Sequence, residues 1–219
     1  MQKSPVGGFL RSGSTSHRMP LFDCISDMDE PLQKLFGSAT RLKLLRLFLF
    51  NPGLSFTASE AASRARISAE QARREAEFLT RVGLVESRRG SAKHYSLNPE
   101  FAYTSELQSL LLNTSHRADD IYQRLRHIGL LKLVVIGGIF LGEWAEQQAD
   151  LFIVVNRLKE DRLRSAIKIL ESEIGREVRF AVLSEQEFFY RFNMNDRLVR
   201  DVFDFPHRIV FDQLDVGLK

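Results

Sequence analysis

The apolar positions of this chain change their period several times, and each change marks an element. From Ser38 to Phe50 the stretch SATRLKLLRLFLF places Leu42, Leu45, Leu47 and Leu49 with Phe48 and Phe50 on a broad apolar surface. Arg41, Lys43 and Arg46 interleave it, and the pattern predicts a buried helix ended by Asn51 and Pro52. Thr57 with Glu60 forms a capping box for a second helix, whose Ala58, Ala61, Ala62 and Ala65 make a small-residue face for close packing. Ser68 with Gln71 starts a third helix that Gly83 ends, and Ala72, Ala76, Leu79 and Val82 fall on its core side at helical spacing. Two short segments follow between Leu84 and Asn98. Their apolar Leu84, Val85, Tyr95 and Leu97 flank Arg88, Arg89, Gly90, Ser91 and Lys93, which predicts a β-hairpin with a basic tip.

From Tyr103 to Ile128 the residues Leu107, Leu111, Thr114, Ala118, Ile121, Leu125 and Ile128 recur at alternating spacings of four and three. That is a heptad seam along one long helix, either a dimer interface or a linker helix packing its stripe on its own chain. Beyond it strands and helices alternate. Leu133 to Ile136 and Leu151 to Val155 read as strands, Glu160 to Ile174 as an amphipathic helix, and Val178 to Leu183 as a third strand. Ser184 with Glu187 forms a third capping box that opens a helix through Phe192, another helix spans Asp196 to Phe203, and a last strand covers Ile209 to Phe211. The expected domains are a disordered tail over 1–22, a helical DNA-binding unit over 23–100, a linker or dimerisation helix over 101–129 and an α/β unit over 130–219. The tail is predicted from its Gly, Ser, Pro and basic residues, as a free terminus or a basic arm.

Composition narrows the class. The single Cys24 excludes an internal disulfide and a multi-cysteine zinc site, and a lone thiol suits a reducing cytoplasm. The first twenty residues lack the apolar core of a signal peptide, and the longest apolar stretch, Leu130 to Gly142, is broken by Lys132 and is too short to span a bilayer. No membrane association is expected. The overall charge of +3 hides an asymmetry: Lys34 to Leu97 carries 12 Lys and Arg against 5 Glu and no Asp, whereas Phe101 to Lys219 carries 16 basic against 18 acidic residues. A polyanion partner is therefore expected for the first half alone, because neutralised phosphates supply most sequence-independent affinity for nucleic acid.

The third helix carries the chemistry for base readout. Arg73 and Arg74 offer the guanidinium fork that pairs with guanine, Gln71 the amide that pairs with adenine, and Ser68 a hydroxyl at the positive end of the helix, with Glu70 beside them. Arg88, Arg89, Lys93 and His94 on the hairpin would reach flanking phosphates or a minor groove. The competing reading is a solvated surface in which Glu70 pairs with Arg74 and Glu77 with Arg81. The agreement of cap, helix, glycine stop and basic hairpin favours DNA, while Glu70, Glu75 and Glu77 argue for moderate affinity or dependence on dimerisation.

Residues from about Lys34 to Asn98 resemble the winged helix of the ArsR and MarR type of prokaryotic transcription regulators, with GSATRLKLLRLFL, ISAEQARREAEFL and LVESRRGSAKHYSLN as the matching pieces. A winged helix before an α/β unit also resembles regulators that carry a polymerase-β-like nucleotidyltransferase domain. That resemblance implies a strand leading into Gly-Ser, a helix, and a strand bearing Asp-x-Asp, since two Mg²⁺ ions need clustered anionic oxygens. Here the matching segment is VVIGGIFLGEWAEQQADLFIVV, Val134 to Val155, with Gly137 and Gly138 at the turn and Asp150 before the strand. The serine position is Gly138, the first aspartate position falls on Gln148, and the later strand reads VRFAVL without a carboxylate. Glu146 does not stand beside Asp150 on one strand face. The domain is thus expected to be degenerate, with no catalytic residue, metal or cofactor.

Gly137, Gly138 and Asp150 are left as candidates for binding a nucleotide or other small-molecule effector, although close helix packing explains the glycine pair equally well. Phe188, Phe189, Tyr190, Phe192, Phe203 and Phe205 are expected in a core or an interface. The chain is accordingly expected to be α+β: a winged helix-turn-helix, a linker helix and a small nucleotidyltransferase-like α/β domain. The expected function is a nucleoid-associated cytoplasmic regulator that binds double-stranded DNA as a homodimer. Two alternatives stay open, an active nucleotidyltransferase of antitoxin-like type that modifies a protein or RNA, and an architectural chromosome-binding protein without strong sequence preference.

Overall fold

A computed structural model describes residues 30–90, 92–113, 118–142 and 149–216. The expected tail, Cys24, Ser91 of the hairpin tip, Thr114 of the seam, and Glu143, Glu146 and Gln148 lie outside them. The architecture is mixed α+β, with a three-stranded sheet in the first half and a four-stranded sheet in the second.

Local cap chemistry sets the first half. Helices α1 (Glu30–Phe36) and α2 (Ala39–Leu49) precede strand β1 (Ser55–Thr57), helices α3 (Ala58–Ala65) and α4 (Ala69–Val82), and the hairpin of β2 (Val85–Arg89) and β3 (Lys93–Leu97). The Ser38 hydroxyl accepts from the Arg41 N–H at the start of α2, while Thr57 and Ser68 each form a reciprocal capping box with the residue three positions on. Hydrogen bonds from the Thr57 backbone N–H and hydroxyl hold the Glu60 carboxyl below its ordinary range. The short α1 and β1 carry too few residues to show a period, and neither was expected. Phe56 of β1 sits opposite Tyr95, which gives the sheet the order β1-β3-β2.

Helix α2 is buried from Leu44 to Phe50 on every side, and this includes Arg46 at 1% exposure. A helix surrounded by packing partners has no solvent face for its polar residues. Helices α3 and α4 flank it, α5 (Thr104–Asn113) lies against it through a Gln108 amide that donates to the Leu49 carbonyl at 2.6 Å, and α7 (Glu160–Ile174) closes the remaining side.

The second half is a sheet covered on both faces. Its strands are β4 (Leu130–Gly137), β5 (Leu151–Asn156), β6 (Phe180–Leu183) and β7 (His207–Asp212), in the order β6-β5-β4-β7. The β5–β6 pair is parallel, joined by the crossover through α7, and the other pairs are antiparallel. Side chains alternate across a strand. Val134, Ile136, Leu151, Ile153 and Val155 therefore face α6 (Ala118–Leu125) and α7, while Leu133, Val135, Phe152 and Val154 face α8 (Glu185–Asn193) and α9 (Arg197–Asp204). Burial on both faces explains why these strands read as unbroken apolar runs.

The heptad seam does not survive as one surface. Its stripe is divided between α5, where Leu107 and Leu111 join the first core, and α6, where Ile121 and Leu125 join the second with Ile128. Leu111, Ile121, Leu125 and Ile128 are each at most 1% exposed, so among the described residues the stripe packs on its own chain, the second of the two readings of the seam, with α5 serving one core and α6 the other. The spacing was right and the partner was internal.

The two halves meet where α7 ends. Gly175 caps α7 at φ +81°, and a Cβ there would stand 2.5 Å from the Arg46 carbonyl carbon and 2.6 Å from the Leu47 nitrogen of α2. Only a residue without a side chain allows that approach. The Asn51 amide donates to the carbonyls of Leu47 at 2.7 Å and Gly175 at 2.6 Å, tying both chains of the crossing together. Gly53 has the same φ of +81° with nothing within 4 Å of its added Cβ, which separates backbone strain from collision. Gly53→Ala is expected to cost about 1 kcal/mol, and Gly175→Ala about 3 kcal/mol or more, in urea unfolding of the full chain; equal costs would contradict the close approach.

Candidate nucleic-acid interface

Helix α4 divides into two faces. Ala72, Glu75, Ala76 and Leu79 are buried against the first core, while Ser68, Glu70, Gln71, Arg73 and Arg74 are exposed. Val82, expected in the core, is 51% exposed. Its place is taken by Leu84: Gly83 turns the chain at φ +86°, the Leu84 N–H donates to the Leu79 carbonyl, the Gly83 N–H to that of Thr80, and Leu84 is buried. This is a Schellman ending, in which the residue past the glycine folds back onto the helix.

The carboxylates of α4 are arranged differently from the i, i+4 pairing that spacing suggested. Glu75 is 4% exposed and accepts from Arg41 Nε at 2.8 Å. Arg41 also donates to the Phe36 carbonyl at 2.8 Å and lies 3.9 Å over the Phe78 ring, so this pair pins α4 to α2. Glu77 approaches Lys93 Nζ of the hairpin at 3.7 Å rather than pairing with Arg81. Glu70 alone stays exposed, in the first turn where the helix dipole favours an anion.

Among the described residues Arg73 and Arg74 make no ion pair, and both stand free on the exposed face. Ser68 and Gln71 are engaged with each other: the Gln71 Oε1 accepts from the Ser68 N–H and hydroxyl at 3.1 Å, and the Ser68 hydroxyl accepts from the Gln71 N–H at 3.2 Å. A Gln71 so held keeps only its amide N–H groups for a partner. On the hairpin Arg88 stands opposite His94 and Arg89 opposite Lys93, so each face carries a basic pair. The Arg88 side chain is 84% exposed, whereas Lys93 is drawn towards Glu77 and lies 5.1 Å over the Tyr95 ring. His94 Nδ1 meets the Ala92 carbonyl at 3.1 Å.

One basic residue beside this face escaped the sequence reading. Arg66 occupies the turn between α3 and α4 at φ +53°, exposed and two residues before the cap of α4. A left-handed arginine carries no compositional signal, since glycine or asparagine usually marks such a turn.

In the second half Gly137, Gly138 and Asp150 do come together, as a closed corner. Asp150 is 1% exposed, and its carboxylate accepts from Arg179 Nε at 3.0 Å, Arg179 Nη2 at 2.9 Å, the Arg179 N–H at 3.1 Å and the Ile139 N–H at 3.3 Å. The Asp150 hydrogen bond holds the Arg179 guanidinium above its already high range. The Gly137 N–H donates to the Asp150 carbonyl at 2.9 Å, and both glycines are buried. The expectation that these three present a ligand cradle gives way to close packing of the turn on the sheet, because every oxygen of the carboxylate already has its donors. Among the described residues no three His, Cys, Asp or Glu gather as a metal-holding group. No helix among them is long and apolar enough to cross a membrane.

No family model and no curated protein matches this chain.

Removing the Asp150 carboxylate leaves a guanidinium and two backbone N–H groups without their acceptor. Asp150→Ala is expected to lower the unfolding free energy by about 3 kcal/mol, measured by urea denaturation. A cost under about 1 kcal/mol would show that the corner does not hold the sheet.

Proposed function

We propose that this chain is a DNA-binding transcriptional regulator whose first half is a winged helix-turn-helix. The observation that carries the reading is the pair Arg73 and Arg74, exposed on the first turns of α4 and without ion pairs among the described residues, on a helix whose Glu75 and Glu77 are turned to Arg41 and Lys93. The order helix, strand, helix, turn, helix, hairpin and the sheet β1-β3-β2 support the winged arrangement. In this reading α4 lies in the major groove, Arg73 and Arg74 meet base edges, and Arg88 and Arg89 reach phosphates beside it.

The second half is proposed to be a nucleotidyltransferase-like domain that transfers nothing. The enclosure of Asp150 by Arg179 supports this, since the one aspartate that matches the motif is committed to an internal ion pair. Its role is ligand sensing or assembly. A homodimer on a palindromic duplex remains part of the proposal, with a contact other than the divided seam, and the setting is cytoplasmic at the nucleoid.

Arg73→Ala is expected to relax discrimination at one base position by about 1 to 3 kcal/mol, whereas Lys93→Ala weakens binding to all duplexes alike. Fluorescence anisotropy on a panel of single-base-pair variants of a bound duplex separates the two. Equal losses on every duplex for Arg73→Ala would remove its base-reading role.

A further inference from the structure

Between the halves, beside the turn that leads into α4, lies a cleft of about 550 Å³. Its floor is Leu47 of α2 and Gly175 at the end of α7, the same crossing that joins the two units. Arg64 and Arg66 project from one wall, Lys168 and Arg176 from the other. Two carboxylates share the lining, and both are engaged within the protein: Glu171 accepts from the Val178 N–H at 3.2 Å, and Glu177 pairs with Arg64 at 3.0 Å. Among the described residues Arg66 and Lys168 make no ion pair, and both are exposed. The cleft therefore offers two uncommitted cations from opposite sides of a concave site of ligand size. Such a site concentrates field lines and favours an anion with more than one charged group.

We propose that this cleft binds a small molecule carrying two or more phosphate groups, of the size of a nucleoside di- or triphosphate. One phosphate meets Arg66 on the α3–α4 turn and another meets Lys168 on α7. A duplex backbone is the less suitable occupant, because the cations line the walls of a concavity floored by buried Leu47 and Gly175 instead of a protruding edge. Arg66 stands two residues before the Ser68 cap, so a ligand gripping both walls ties the entry of α4 to α7. Binding is independent of the DNA reading; any change it makes in DNA affinity rests on that reading.

Isothermal titration of the full chain with inorganic tripolyphosphate and with ATP, without DNA or divalent metal, tests the proposal. Saturable binding is expected, weakened about tenfold by Arg66→Gln and about tenfold by Lys168→Gln, and unchanged by Arg200→Gln on α9. Absence of saturable binding for both anions overturns it, as does unchanged affinity in the Arg66→Gln, Lys168→Gln double variant. Lys168→Gln alone, confirmed as folded by circular dichroism, is then assayed for duplex binding without any small anion. Unchanged duplex affinity supports the small-molecule site. A loss as large as that of Lys93→Ala assigns Lys168 to the DNA backbone and overturns the proposal. If the chain binds no duplex, the titration alone decides.

Discussion

The meeting of Gly175 with the backbone of α2 is the contact on which the arrangement of the two halves turns. A β-carbon at that position has no room beside Arg46 and Leu47, and the left-handed cap that ends α7 needs a residue tolerant of φ +81°. Both demands fall on one glycine. The consequence is that α2 belongs to two packing systems at once: α3, α4 and α5 surround it on the first-half side, and α7 covers the rest. Asn51 then bridges the carbonyls of Leu47 and Gly175, satisfying acceptors at the ends of two helices with one side chain. Arg46, polar in sequence, is carried into the interior by this sharing of α2.

What the sequence made legible was local. The boxes at Thr57 and Ser68 and the stop at Gly83 depend on residues within a few positions of each other, and the structure has them; at Ser184 only the hydroxyl half of the expected box forms, because the Glu187 carboxylate accepts from Arg191 instead. The bounds Glu160–Ile174 of α7 and the apolar strands of the second sheet follow from period and burial in the same way. What stayed hidden was non-local. Asp150 meets Arg179 across 29 positions, Arg41 meets Glu75 across 34, and no spacing rule connects them. The seam from Leu107 to Ile128 shows the limit most clearly, because a stripe specifies that something covers it without specifying what.

The electrostatics of α4 changed most between sequence and structure. Three glutamates in one basic helix suggested a face at odds with phosphate. Two of them are turned to cations of the first half, one buried against α2 and one at the hairpin, which leaves Arg73 and Arg74 as the dominant exposed charges of the first turns. The same ion pairs that hold α4 to its neighbours thus clear its outer surface. The basic character continues around the turn at Arg66 into the cleft floored by Gly175, so the helix and the crossing of the halves are close neighbours along one charged surface.

The central claim is sequence-selective DNA binding by α4 and its hairpin, and selection of bound duplexes from a random pool at two salt concentrations measures it directly. An enriched motif retained at the higher salt, palindromic if two copies bind together, is the expected result. Salt-sensitive retention of the pool without any enriched motif, or no retention at moderate salt, would contradict it.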